Sequence, residues 1–548
     1  MIFPLMQMTS APVEQRVIEL KGYDTQNVIE QGSMRDMRNL CSDEYPSIYP
    51  RKQRGTYEDF YTNPSAILAR KEKLAVCDDT SFWYGGKRIF DFTLQYEGKR
   101  QMQAVNTRIV IFPDKMYYNT ETGEYGNLGE TANPVQVAFH KDPVTKETCC
   151  TFTMPLGGTL EGFKRYDTVS FRGLSPEIKG YSNGQDNNIS HAIIERIDYD
   201  NNQIYFAEGV ISYPTADDQD FIDSGETGLG FTIEREIPDL DYILEYGNRL
   251  YGCKGNTIYV SKLGDPTNWW FFGTGTAESS YQVEVGTDGD FTGIAPYPTH
   301  ILFFKENCVH KLYGYKPSNY QLITATCLGV EKGSHKSIQL INGAVYYKSR
   351  EGIMIYTGDT PTIISHNFGK TRYDSAVSGT DMLKYYVSMR NKEDGKWYMF
   401  VYDIEKNLWH LEDNIQADEF AFISNQLVYT DHDKHKIITV TGSGANIDKD
   451  PIEWYAKFGD YDEFVENKKV YSKINMRLLM EENSEISVWI SIDGGAWESV
   501  CHLSTYFKRT VEMPIVPRRC DKFAILITGK GYTKIESITR LVREGTMR

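Results

Sequence analysis

One outline recurs along this chain and restricts what it can fold into: a short run of alternating or bulky apolar residues, a tight turn, and a second run ending in tyrosine or a small polar residue. It occurs at residues 108–128, 248–265, 300–317, 343–361, 384–411 and 425–444. Each copy reads as a β-hairpin, with Lys-Gly-Asn, Asp-Gly-Lys or Asp-His-Asp-Lys at its turn. A single hairpin cannot bury both of its faces, so copies must stack on one another. The later copies return every ~40 to 50 residues, the spacing of four-stranded propeller blades. The expected fold is therefore all-β, with a β-propeller at its centre.

Two segments break the rhythm. Between residues 134 and 237 the strands "KRYDTVSFRGL", "AIIERIDYDNNQIYFAEGVI" and "GLGFTIEREIPDLD" read as a small β-barrel-like domain inserted between the first and second recurring units. After "TGSGANIDKDP" long alternating strands separated by Glu-Asn-Ser, Asp-Gly-Gly and Gly-Lys-Gly carry the pattern of a C-terminal β-sandwich. The expected organisation is an N-terminal segment and the first part of the propeller at 1–133, the inserted domain at 134–237, the rest of the propeller at 238–445 and the sandwich at 446–548, with the last boundary near 442–449. Helical periodicity is confined to short stretches such as "NPSAILARKEKLAV" at 63–76.

Composition narrows the function. The 548 residues are 40% hydrophobic and 24% charged, with 38 tyrosines, and flat rings suit pleated strands. The net charge of −16 opposes a surface built to grip phosphates, yet suits a wall along which a polyanion slides. Nine cysteines lie scattered without a Cys-x-x-Cys pair and are expected to stay reduced. The opening "MIFPLMQMTS" lacks a basic region, and no apolar run reaches the ~18 residues of a membrane helix. The expectation is a protein made in a cytoplasm that is not an integral membrane protein.

Constellations that carry chemistry each have a simpler reading. Asp431, His432, Asp433 and His435 sit where a hairpin turn is expected and read as a wet turn, and Cys308 with His310 reads as core. Asp288 and Asp290 lack the downstream glutamate of a calcium loop. In "SIDGGAWESV" (491–500) Trp497 comes one position early for a sialidase-type Asp-box. No nucleophile elbow or zinc-protease motif occurs. No catalytic residue, metal or cofactor is assigned, and the chain is expected not to be an enzyme.

The run "GDPTNWWFFGTG" (264–275) sets Trp269, Trp270, Phe271 and Phe272 behind a Gly-Asp-Pro turn. Since it follows one hairpin and precedes another, these four aromatics are expected to form a structural seam between units; a sugar-stacking platform is the competing role.

The stretch from 248 to 314 resembles the central region of phage tail stabilisation or nozzle proteins. The resemblance is carried by Leu250 to Cys253, Ser261 to Pro266, Trp269, Val285 to Gly289, Phe291 to Gly293 and Phe303 to Glu306, with further matches at 32–54, 329–338 and 511–531. It implies a virion component at the distal tail of a tailed bacteriophage: a homo-hexameric ring that works as a nozzle or tail tube extension. DNA would pass through the lumen without specific binding. The implied partners are copies of itself, the tail adaptor and tail fibre or spike proteins, with the host envelope met indirectly. A receptor- or glycan-binding tail module is the alternative, and a propeller glycosidase the third.

Overall fold

The computed structural model describes residues 11–96, 99–182, 185–214, 220–225, 230–272, 276–440, 442, 450–504 and 507–544. Among them the regular elements are strands, apart from three single-turn 3-10 segments. The fold is all-β and of β-propeller type. Seven four-stranded antiparallel sheets make up its blades, at 64–93, 101–127, 242–284, 293–326, 339–363, 373–413 and 417–439, the last completed by Gly55–Glu58.

Local chemistry explains the blades. The two-residue turns Gly247-Asn248, Asn342-Gly343 and Ser424-Asn425 hold both residues at positive φ, the hairpin turn whose twist matches its strands. Strands inside a stack are covered on both faces, so they read as continuous apolar runs: in Lys384–Asn391 five consecutive residues are buried. The seventh blade takes its fourth strand from the other end of the chain, with Gly55 opposite Thr439. Just before that strand, Arg54 donates to Asp413 (2.6 Å) and Glu412 (2.7 Å) at the end of the sixth blade.

The chain divides into two compact units. The first, 1–74 with 330–548, holds the fifth to seventh blades and the sandwich. The sandwich pairs two five-stranded sheets, and each takes a strand from near the N-terminus. Val13–Val17 lies beside Thr533–Glu544, and Met34–Arg38 beside Glu453–Phe458. One core runs from Tyr385, Phe400 and Trp409 of the sixth blade into Trp454, Ile474 and Ile525 of the sandwich. Gly22 lies so close to the Trp409 carbonyl that a Cβ would meet its oxygen at 1.9 Å; only glycine fits there.

The second unit, 75–329, holds the second to fourth blades and an inserted domain. The insertion is an eight-stranded antiparallel sheet from Glu130–Ala132 to Thr232–Arg235 with its own core, which includes Val137, Phe139, Phe171, Ile194 and Phe206.

The structure departs from the sequence expectations in three places. Residues 63–76 are not helical: Pro64–Arg70 and Lys73–Asp78 are strands of the first blade, turned at Lys71 and Glu72, both at positive φ. The insertion accordingly lies between the second and third blades, because the blade at 64–93 precedes the first recurring unit. The sandwich also draws on residues near the N-terminus as well as on the C-terminal segment. The expected boundary at 442–449 lies, Gly442 apart, outside the described residues.

Candidate functional site

The aromatic run grows out of a turn. The Asp265 carboxylate accepts hydrogen bonds from the Thr267 backbone (3.1 Å) and hydroxyl (2.6 Å), while Lys262 N–H donates to the Asn268 carbonyl at 2.8 Å. This loop aims Trp269 inward. It is 1% exposed and packs in a cluster that includes Val110 and Phe112 of the second blade with Ile243 and Leu250 of the third. Its indole N–H donates to the Pro266 carbonyl at 2.9 Å, so its one polar atom is satisfied.

The neighbouring residues reach the insertion. Trp270 stacks on His191, with ring centroids 4.3 Å apart and planes at 20°, and donates to the Glu236 carbonyl at 3.2 Å. Phe271 meets Tyr166 edge-on and lies under the Lys262 ammonium at 4.2 Å. Asn268, 1% exposed, accepts from the Thr168 hydroxyl at 2.8 Å and donates to the Tyr166 carbonyl at 2.7 Å. Phe272 is half-buried against Trp270. Trp269, Trp270, Phe271 and Phe272 thus come together where the second blade, the third blade and the inserted domain meet. The sequence indicated blade-to-blade packing for them; the side-chain contacts with the insertion through Asn268, Tyr166 and His191 have no local sequence signal.

The other singled-out groups fall elsewhere. His432 faces Asp418 across 2.9 Å at the surface. His310 is 1% exposed and held through both ring nitrogens by Thr287 and Thr324, each at 2.9 Å, with Cys308 Sγ at 3.9 Å. Asp493 accepts from the backbone N–H groups of Asp521 and Lys522 and so ties the Asp-Gly-Gly turn to the next strand. Asp288 and Asp290 are exposed. Among the described residues no three His, Cys, Asp or Glu side chains converge as metal ligands. All nine cysteines are free, and no helix is long and apolar enough to cross a membrane.

Burial lowers the pKa of four histidines, His191 among them. His300 and His310 are pushed down to about 4, and His410 to about 3, by loss of hydration, with neighbouring lysines adding to it. The unfolded chain therefore takes up these protons first. Their contribution to stability is complete above about pH 6.5 and is lost as pH falls toward 4 and then 3. Asp43, Asp374 and Asp403 have lowered values, so their contribution is lost only at lower pH. Burial raises the values of Asp24, Asp36, Asp167 and Glu419, which act in the opposite sense, so the histidine contribution is read as a difference. Between pH 7 and 4.5 the urea midpoint of His310→Gln should lose less than that of the wild type, and equal losses contradict the assignment.

No family model and no curated protein matches this chain. Solved structures with similarity include an exo-β-1,3-galactanase from Phanerochaete chrysosporium, at 10% identity and a TM-score of 0.21 over 54% of this chain and 94% of that one. Hsv2 of Kluyveromyces lactis gives 11% and 0.28 over 74% and 96%. PorZ, a surface component of the type-IX secretion system of Porphyromonas gingivalis, gives 11% and 0.25 over 89% and 78%. The likeness concerns the all-β fold alone.

Proposed function

We propose that this chain is a structural subunit of a bacteriophage tail, one of six copies in a ring that extends the tail tube and passes DNA outward during ejection. The observation that carries the reading is the position of the residues shared with the nozzle proteins. Leu250, Cys253, Ser261, Trp269 and Phe303 are each at most 1% exposed. The Ser261 hydroxyl accepts from the Leu250 N–H at 3.0 Å, and Asp265 and Trp269 build the join of two blades with the insertion. The residues that carry the resemblance are therefore framework residues of this chain.

The charge of −16 supports the same role, since an acidic wall has no affinity for phosphates and lets duplex DNA slide. In this reading the partners are further copies of the chain, the tail adaptor on one side and a fibre or spike protein on the other. The protein resides in the virion tail and performs no chemistry. Quantitative mass spectrometry of purified particles of the phage that encodes it tests this directly. Six copies per particle, retained with the tail after fibres are stripped, are expected; a chain missing from particles rules the role out.

A further inference from the structure

We propose that the first unit carries a carbohydrate-binding groove where the sandwich meets the sixth and seventh blades. This site goes beyond the role in a tail ring and does not depend on it. Strand Met34–Arg38 of the sandwich lies against Leu408–Asp413, the last strand of the sixth blade. Along that line a cavity of 500 Å³ is lined by, among others, Arg38, Trp397, Tyr398, Gln416, Asp433 and Tyr455. A second cavity of 670 Å³ shares the walls Arg38 and Tyr455 and adds Glu485, Ser487 and Lys530.

The polar groups in this groove fall into two sets. One set is already fixed. The Tyr455 hydroxyl donates to Asp36 at 3.1 Å, the Tyr398 hydroxyl donates to Asp394 at 2.7 Å, and Asp413 is held by Arg54 at 2.6 Å. These bonds hold two tyrosine rings in place as walls. The other set makes no side-chain hydrogen bond or ion pair among the described residues: the exposed guanidinium of Arg38, which acts on Asp36 and Tyr455 only through its charge, the half-exposed indole of Trp397, the side-chain amide of Gln416 and the carboxylate of Asp433.

Fixed aromatic rings beside unused donors and acceptors of both kinds match the chemistry of a sugar. A pyranose offers an apolar face to a ring and a rim of hydroxyls that both donate and accept. Few convergent polar groups in a concave site of this size are what orient a small ligand. The walls mix the carboxylates of Asp433, Glu453 and Glu485 with the cations of Arg38, Arg51, Lys396 and Lys530, so no concentrated positive field selects a polyphosphate. The ligand class is thus a polysaccharide or oligosaccharide of neutral or mixed character, such as a bacterial surface glycan.

The test uses the full-length chain and a printed panel of purified bacterial surface polysaccharides. The wild-type chain should bind at least one of them. Trp397→Ala and Arg38→Ala should each weaken that binding about tenfold or more, while Glu177→Ala, on the exposed surface of the insertion, leaves it within about twofold. Should Trp397→Ala fail to fold, Gln416→Ala takes its place. No binding to any polysaccharide, or binding unchanged in both groove variants, overturns the proposal. So does a groove that retains peptides from a display library and no glycan.

Discussion

Arg540→Leu should lower the unfolding free energy by about 3 to 5 kcal/mol, because it strands a buried carboxylate. Arg540 is fully buried. It grips Glu463 with two hydrogen bonds of 2.8 and 3.0 Å, reaches Gln31 at 3.2 Å and lies 3.7 Å over the Tyr461 ring. The Tyr471 hydroxyl also donates to Glu463 at 3.1 Å. Glu463 and Phe464 stand at φ of 53° and 55°, a backbone region that L-residues occupy only when their surroundings impose it. The pair therefore ties the loop at 461–465 to the sandwich strand Thr533–Glu544. The double replacement with Glu463→Leu should cost less than the two single losses added together, since neither charge is then left alone. Urea denaturation of the three variants measures the coupling; strictly additive losses contradict it.

Trp269→Ala should destabilise the second unit by about 3 to 5 kcal/mol, the cost of removing a fully buried indole whose surroundings cannot collapse into the space. Two blades meet at this ring and each is anchored elsewhere, so the cavity should persist. Trp270→Ala should cost less, about 1 to 2 kcal/mol, because that ring is half-buried and loses one stacked partner in His191. The ordering of the two losses is the informative quantity. A larger loss at Trp270, or wild-type stability for Trp269→Ala, contradicts the seam.

The blades were legible because their turns are spelled in residues that tolerate positive φ, such as Asn342-Gly343, and because strands such as Lys384–Asn391 are apolar on both faces. The first blade is hidden: Ala66, Leu68 and Ala69 have good helix propensity, and only pairing within a sheet overrides it. Val13–Val17 was equally silent, since an edge strand with three polar residues out of five has no clear alternation. Trp269 could be assigned to a seam from its place after a hairpin. The groove residues could not be grouped, because Arg38, Trp397, Gln416, Asp433 and Tyr455 come from separate segments brought together by packing of the sandwich on the blades. Arg540 and Glu463 lie 77 positions apart, and neither belongs to a motif.

The most direct test of the central claim is electron cryo-microscopy of the purified full-length chain across a range of concentrations. The account predicts closed six-membered rings with a central hole wide enough for duplex DNA and lined mainly by carboxylates. A chain that stays monomeric at every concentration, or that closes into rings whose hole is lined by lysine and arginine, would contradict it.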